Sequence, residues 1–169
     1  MPNFEEFLET VKSADGCWEA LHRFSESLVA SRLFTVMTVD MPKLLAQRSY
    51  TSDPAAYPTS GTKPVIMDRW FDIVHRQQKM FVANTIADIA DVFPDHEKIW
   101  SLGCGSVVNL PIIINGSLVA TINLLHEEHY YTPERVHLIS SELSGPSRLA
   151  YLRAQGLDRA GQRVQVNRD

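Results

Sequence analysis

Cysteine is scarce in this chain: Cys17 and Cys104 are the only two in 169 residues. Two thiols make no disulfide framework. Stability must come from a packed core, and a chain of this length can bury one. Basic charge is not in excess either. Sixteen Lys and Arg against 20 Asp and Glu leave a formal net charge of -4. With no long basic patch to neutralise phosphates, nucleic acid is not an expected partner. Long apolar runs are missing. The longest candidate, Val107 to Leu125, is broken by Asn109, Pro111, Asn115, Gly116, Ser117, Thr121 and Asn123, well short of the roughly 20 apolar residues that span a bilayer. No charged segment followed by an apolar run marks a secretory leader. The expectation is a cytoplasmic protein with no membrane partner. Repeats and low-complexity tracts are also missing.

What remains is an ordinary globular composition, 44% apolar and 21% charged, on the scale of one domain. Asn3 stands three residues before Glu6, the spacing of a capping box. Phe4, Phe7, Leu8 and Val11 follow with helical period, and Asp15-Gly16 is read as the end of this helix. A second helical pattern runs from about Cys17 to Leu33. Leu33–Val39 reads as a central strand, 40–43 as a turn around Pro42, and Leu44–Tyr50 as the returning strand. The proline-bearing segment 52–63 reads as a surface loop placed to lie over a pocket mouth. Asp68 caps a predicted helix over 68–78. Met80–Val82 reads as a short strand, with short helices over 85–92 and 94–100. Ser106–Ile114 and Leu118–Leu125 are the strongest strands, and Asn115-Gly116 fits a type I′ turn between them. Thr132-Pro133-Glu134 starts the last helix, which runs toward Gln155. Gly145-Pro146 is expected to break or kink it, and 156–169 reads as a polar tail. Two hairpins and flanking helices define an α+β fold: a central antiparallel sheet with N- and C-terminal helices.

The strand LFTVMTVD, the segment MFVANTIADIADVFPDH and the hairpin SVVNLPIIINGSLVATINLLH followed by YTPERVHLI resemble a single GAF domain, a relative of the PAS fold. The resemblance covers roughly Trp18 to Leu152. It implies a domain over 18–155, preceded by an N-terminal helix over 1–17. It also implies a small molecule held between the sheet and the segments on one side, and pairing as a homodimer through the terminal helices. Cofactor identity stays unknown, because no cyclic-nucleotide or chromophore-cysteine signature is evident. The chain as given carries no output domain, so it is expected to act alone, to bind a separate partner, or to be an enzyme.

Three functions compete: a non-catalytic ligand-binding sensor or regulator, a metabolite-transforming enzyme, and an interaction module with a closed core. Ligand-binding candidates are Tyr50, Tyr57, Trp70, Phe81, Asp88, Trp100, Cys104, Asn109, Thr121 and Asn123. Aromatics with a few polar groups make a pocket or an ordinary core. Buried amides such as Asn109 and Asn123 need partners that a ligand can supply, unless they point outward or bond to neighbouring backbone. Arg48 and Arg69 are candidate anion binders, against the plainer reading as surface charges. Cys104, between two glycines, reads as a small buried hydrophobe, a ligand contact, or a thiol activated by His96 or His126. Asp95, His96, Cys104, His126 and His129 include metal-ligand types, but the spacing of His126 and His129 carries no metal site by itself. A GAF subgroup reduces free methionine-R-sulfoxide. FPDHEKIWSLGCGSVVNLPI loosely resembles its cysteine region, yet the extra resolving cysteines are absent here.

Overall fold

The computed structural model describes residues 3–166, with side chains described as far as residue 158. The chain opens with two helices, α1 (Phe4–Glu9) and α2 (Ala14–Leu28). Asn3 and Glu6 form the predicted capping box. Asp15-Gly16 does not end α1. Both residues lie in the first turn of α2, because Ser13 accepts a hydrogen bond from the Gly16 amide and starts a new helix there. Side-chain capping of a free amide outweighs the breaker tendency of Asp-Gly.

Six strands follow in an antiparallel sheet: β1 (Leu33–Asp40), β2 (Leu45–Thr51), β3 (Lys63–Pro64), β4 (Phe81–Ala83), β5 (Ser106–Ile114) and β6 (Ser117–His126). Their order is β3-β2-β1-β6-β5-β4. The β5–β6 turn is two residues long, Asn115 and Gly116, with φ of 51° and 77°. Positive φ at both central positions is the type I′ geometry that suits the right-handed twist of a hairpin. Strand β3 was not predicted. It is two residues long at the sheet edge and contains a proline, a place where a missing N–H is tolerated.

One sheet face is covered by α1, α2 and the long C-terminal helix α6 (Pro133–Val166). Phe34, Val36, Val108, Leu110, Ile122 and Leu124 point into that layer and meet Trp18, Leu21, Ile139 and Leu143. Alternation sends Leu33, Val107 and Leu125 to the other face, which packs against Tyr57, Val74, Ile89 and Ile99. The segments covering this second face are α3 (Arg69–Phe71), α4 (Ile86–Ala90) and α5 (His96–Ser101). The helix predicted over 68–78 starts as expected, with Asp68 accepting from the Phe71 amide. It then widens into a π-turn over Asp72–Arg76, where the Gln77 amide bonds back to the Asp72 carbonyl.

The predicted break at Gly145-Pro146 does not occur, and α6 continues through both residues. Leu143, Ser147, Ala150 and Ala154 are buried on either side of the proline, so packing against α2 holds the helix across the lost hydrogen bond. Of the predicted polar tail over 156–169, the part up to Val166 is a continuation of α6, and 167–169 lie outside the described residues. No helix among the described residues is long and apolar enough to cross a membrane.

Candidate functional site

Two irregularities decide which side chains face the space between the sheet and α3–α5. In β2, Tyr50 is opposite Val36 but Arg48 is opposite Met37, so Ser49 is an extra, bulged residue. In β6, Thr121 is opposite Pro111 and Ala120 opposite Ile112, but Leu118 is opposite Ile113, so Val119 is bulged. A bulge reverses the alternation beyond it. Tyr50 and Arg48, two residues apart, therefore project from opposite faces. Leu118 joins Thr121, Asn123 and Leu125 on the same face.

A polar row crosses this otherwise apolar face. The register places Thr35 opposite Asn123, and Asn123 opposite Asn109. Asn123 Nδ2 donates to Thr35 Oγ1 at 3.1 Å, and Asn109 Nδ2 donates to Asn123 Oδ1 at 2.7 Å. Trp70 Nε1 completes the row from the helical wall, donating to Asn109 Oδ1 at 2.9 Å. Thr35, Asn109 and Asn123 are all buried. Each amide carries two N–H donors and two acceptor lone pairs and spends half of them on the row. The remainder is hydrogen-bonding capacity at a cavity surface.

The row lines a cavity of about 310 Å³. Leu33, Val107 and Leu125 supply its apolar sheet side, and Phe71, Phe93 and Ile99 its helical side. Toward the exposed sheet edge stand Arg48 on β2 and Lys63 on β3. Arg48 Nη1 donates to the Pro58 carbonyl at 3.0 Å, and its guanidinium lies 4.8 Å from the centroid of the Tyr57 ring. The Tyr57 hydroxyl donates to Asp95 Oδ2 at 2.5 Å. Burial, then that carboxylate, hold the Tyr57 phenol far above its ordinary pKa, so it stays a proton donor. The loop, β2 and the start of α5 are thereby tied together at one end of the cavity.

Comparison with known proteins separates shape from sequence. No family model matches the chain, and no curated protein does. Solved structures match nearly end to end. The GAF domain of a two-component sensor histidine kinase from Bacillus halodurans aligns with a TM-score of 0.69 at 12% identity, over 89% of this chain and 99% of that one. The GAF domain of the cyanobacteriochrome TePixJ aligns at 0.65 and 16%, over 89% and 94%. This chain has the GAF fold. A third match is free methionine-R-sulfoxide reductase from Neisseria meningitidis, solved with its substrate. It aligns at 0.61 and 14%, over 90% of this chain and 86% of that one.

Within this fold, the cavity brings together Tyr57, Trp70, Asn109, Thr121 and Asn123 from the predicted ligand set. It does not include Tyr50, Phe81, Asp88, Trp100 or Cys104. Tyr50 is turned away by the Ser49 bulge, and its hydroxyl shares a 3.0 Å hydrogen bond with His22 Nδ1 in the helical layer. Phe81 is opposite Asn109, but its ring packs edge-on against Phe93 behind the cavity wall. Asp88 is exposed on α4. Trp100 is 55% exposed because α5 buries the preceding residue, Ile99, and one step of helix turns the next side chain outward.

Cys104 is buried in the core beside the cavity. Burial raises its thiol pKa, partly offset by Arg32, which is the opposite of thiolate activation. Neither predicted base reaches it by a hydrogen bond among the described residues. His96 Nδ1 pairs with the Phe93 carbonyl at 3.1 Å. His126 Nδ1 accepts from the Glu127 amide at 2.8 Å, and its ring stacks on Tyr130. Cys17 belongs to the helical layer and Cys104 to the cavity layer, so the sheet separates them. No group of three or more metal-ligating side chains converges among the described residues. Arg69 lies against Phe81, 5.9 Å from its centroid, rather than on the cavity wall. Sequence reading missed Thr35 and Lys63, and named Asp95 only as a metal-ligand type. Thr35 is disguised by a β-branched strand context, and the other two are placed by elements whose pairing is not local.

Proposed function

We propose that this chain is a non-catalytic, small-molecule-binding GAF module that acts as a sensor or regulator. One observation carries the reading: a cavity of about 310 Å³ lined by the hydrogen-bonded row Trp70–Asn109–Asn123–Thr35. The volume falls at the lower end of the range for small-molecule sites, and mostly apolar walls with a few placed polar groups are their usual make-up. A packed-shut interaction module has no use for unspent amide donors at a cavity surface. A Cys–His enzyme needs a thiol that meets its base, and Cys104 meets neither histidine.

A ligand regulates only by preferring one state of the protein. The loop bearing Tyr57 and Pro58 is the element to be biased. It reaches the cavity through the Arg48–Pro58 and Tyr57–Asp95 hydrogen bonds, so a ligand beside Arg48 changes the contacts that hold it. Homodimerisation through the terminal helices belongs to the same reading. Phe7 on α1 and Leu152 on α6 are 44% and 53% exposed, and Arg153 ties the two helices by donating to the Glu9 and Val11 carbonyls. A cytoplasmic location completes the proposal.

The test is native mass spectrometry of gently purified protein, before and after denaturation. A small molecule that stays with the folded chain and leaves on unfolding supports the reading. It is further supported if Asn109→Leu abolishes retention while the protein stays folded by circular dichroism. Retention unaffected by cavity-filling substitutions at Asn109 and Thr121 sinks it.

A further inference from the structure

A second, smaller concavity of about 90 Å³ adjoins the main cavity and shares Met37, Ala46, Arg48 and Lys63 with it. Ser60, Gly61 and Thr62 of the loop close it. Its polar lining is two cations, two hydroxyls and loop backbone, with no carboxylate. The β2–β3 register sets Lys63 opposite Ala46, two residues from Arg48 on the same strand, so both cations converge on this annex.

Arg48 is held in place yet incompletely used. Nη1 is spent on Pro58 and the guanidinium plane rests on Tyr57. Its Nε is buried, with no hydrogen-bond partner among the described residues. Neither Arg48 nor Lys63 takes part in an ion pair among the described residues. Asp95 is the carboxylate that acts on both at longer range, and it already accepts the Tyr57 hydroxyl. A guanidinium with donors to spare, fixed beside an ammonium, matches the geometry of a carboxylate or similar oxyanion.

The main cavity sets the rest of the ligand. At about 30 Å³ per water, its volume equals about ten waters, which suits a body on the order of ten non-hydrogen atoms. Resting on the small-molecule-binding reading above, we infer that the ligand is a small organic monoanion. Its apolar or aromatic body lies in the main cavity along the Asn109–Asn123 row, and its carboxylate-like head lies in the annex against Arg48 and Lys63.

The experiment is calorimetric titration of the full chain with three acid–amide pairs: benzoate and benzamide, 3-phenylpropanoate and 3-phenylpropanamide, octanoate and octanamide. Each pair differs in charge and hardly in shape. At least one acid is expected to bind about tenfold or more tightly than its amide, a difference of about 1.4 kcal/mol. Arg48→Gln should remove that preference, so that the acid binds no more tightly than its amide. Lys63→Gln, at an exposed position, should reduce it and keeps the test valid if Arg48→Gln does not fold. Acids and amides binding alike, or an acid preference that survives both substitutions, overturns the monoanion inference and leaves the binding reading standing. No binding of any member up to millimolar concentration overturns both.

Discussion

At the scale of single residues, the site rests on Asn123. It is the middle member of the polar row, accepting from Asn109 and donating to Thr35. Asn123→Ala leaves the Asn109 amide and the Thr35 hydroxyl short of a partner inside the fold, and a buried group left unsatisfied costs about 1–3 kcal/mol. The expected result is an unfolding free energy lower by that amount, read as a lower urea midpoint with an unchanged denaturant slope. Cys104 offers the reverse kind of test. A buried thiol with a raised pKa carries little thiolate at neutral pH. Iodoacetamide should alkylate Cys104 far more slowly in the folded chain than in urea, with no rate plateau below the free-thiol pKa. A fast reaction at neutral pH would restore the Cys–His reading.

At the scale of elements, two glycines of different kinds separate turn geometry from helix propensity. Gly116 has φ of +77°, and a Cβ added there meets nothing. Gly116→Val should therefore lower stability by about 1–2 kcal/mol through backbone strain alone. Gly145 lies inside α6, outside the positive-φ set, and an added Cβ again meets nothing. Gly145→Ala should raise stability by about 0.5–1 kcal/mol. Chemical denaturation of the two variants side by side checks both signs. The bulges at Ser49 and Val119 act at this scale too. Each re-aims a strand, and together they place Arg48 and Leu118 on the cavity side.

At the scale of the whole molecule, the His22–Tyr50 contact joins α2 to the sheet. His22 stacks on Phe34 with ring centroids 4.6 Å apart. Burial lowers its pKa, with Glu26 acting the other way. A histidine whose folded pKa is lowered is protonated more readily in the unfolded chain, so its contribution to stability is complete above the unfolded value of about 6.5. That contribution is lost as pH falls toward the lowered folded value. The urea midpoint should decline as pH falls below about 6.5, and His22→Phe should flatten the decline. It should not abolish the decline, since burial and Arg32 lower His126 in the same sense. The exposed Leu152 belongs to this scale as well. If the terminal helices pair two chains, Leu152→Glu should shift the protein toward monomer in sedimentation velocity without changing its circular dichroism.

What the sequence determined by itself is local. The Asn3–Glu6 box, the Asn115-Gly116 hairpin, the Asp68 cap and the periods of β1, β5 and β6 follow from neighbours within a few residues, where capping and turn chemistry act. Together they were enough for an α+β fold of GAF type. The amides of Asn109 and Asn123 could be noticed as interruptions of apolar strands, but their direction could not be read. Facing is a matter of register, and one bulged residue inverts it. Tyr50 was misplaced for that reason. Tertiary structure alone decided that Thr35, Asn123, Asn109 and Trp70 form one row, since their partners are 14 to 88 residues apart in the chain. It also decided that Cys104 is buried with no hydrogen bond to either histidine among the described residues, and that α6 runs through Gly145-Pro146. In each case burial against a distant element outweighs the local preference, because packing sums many contacts while a propensity acts once.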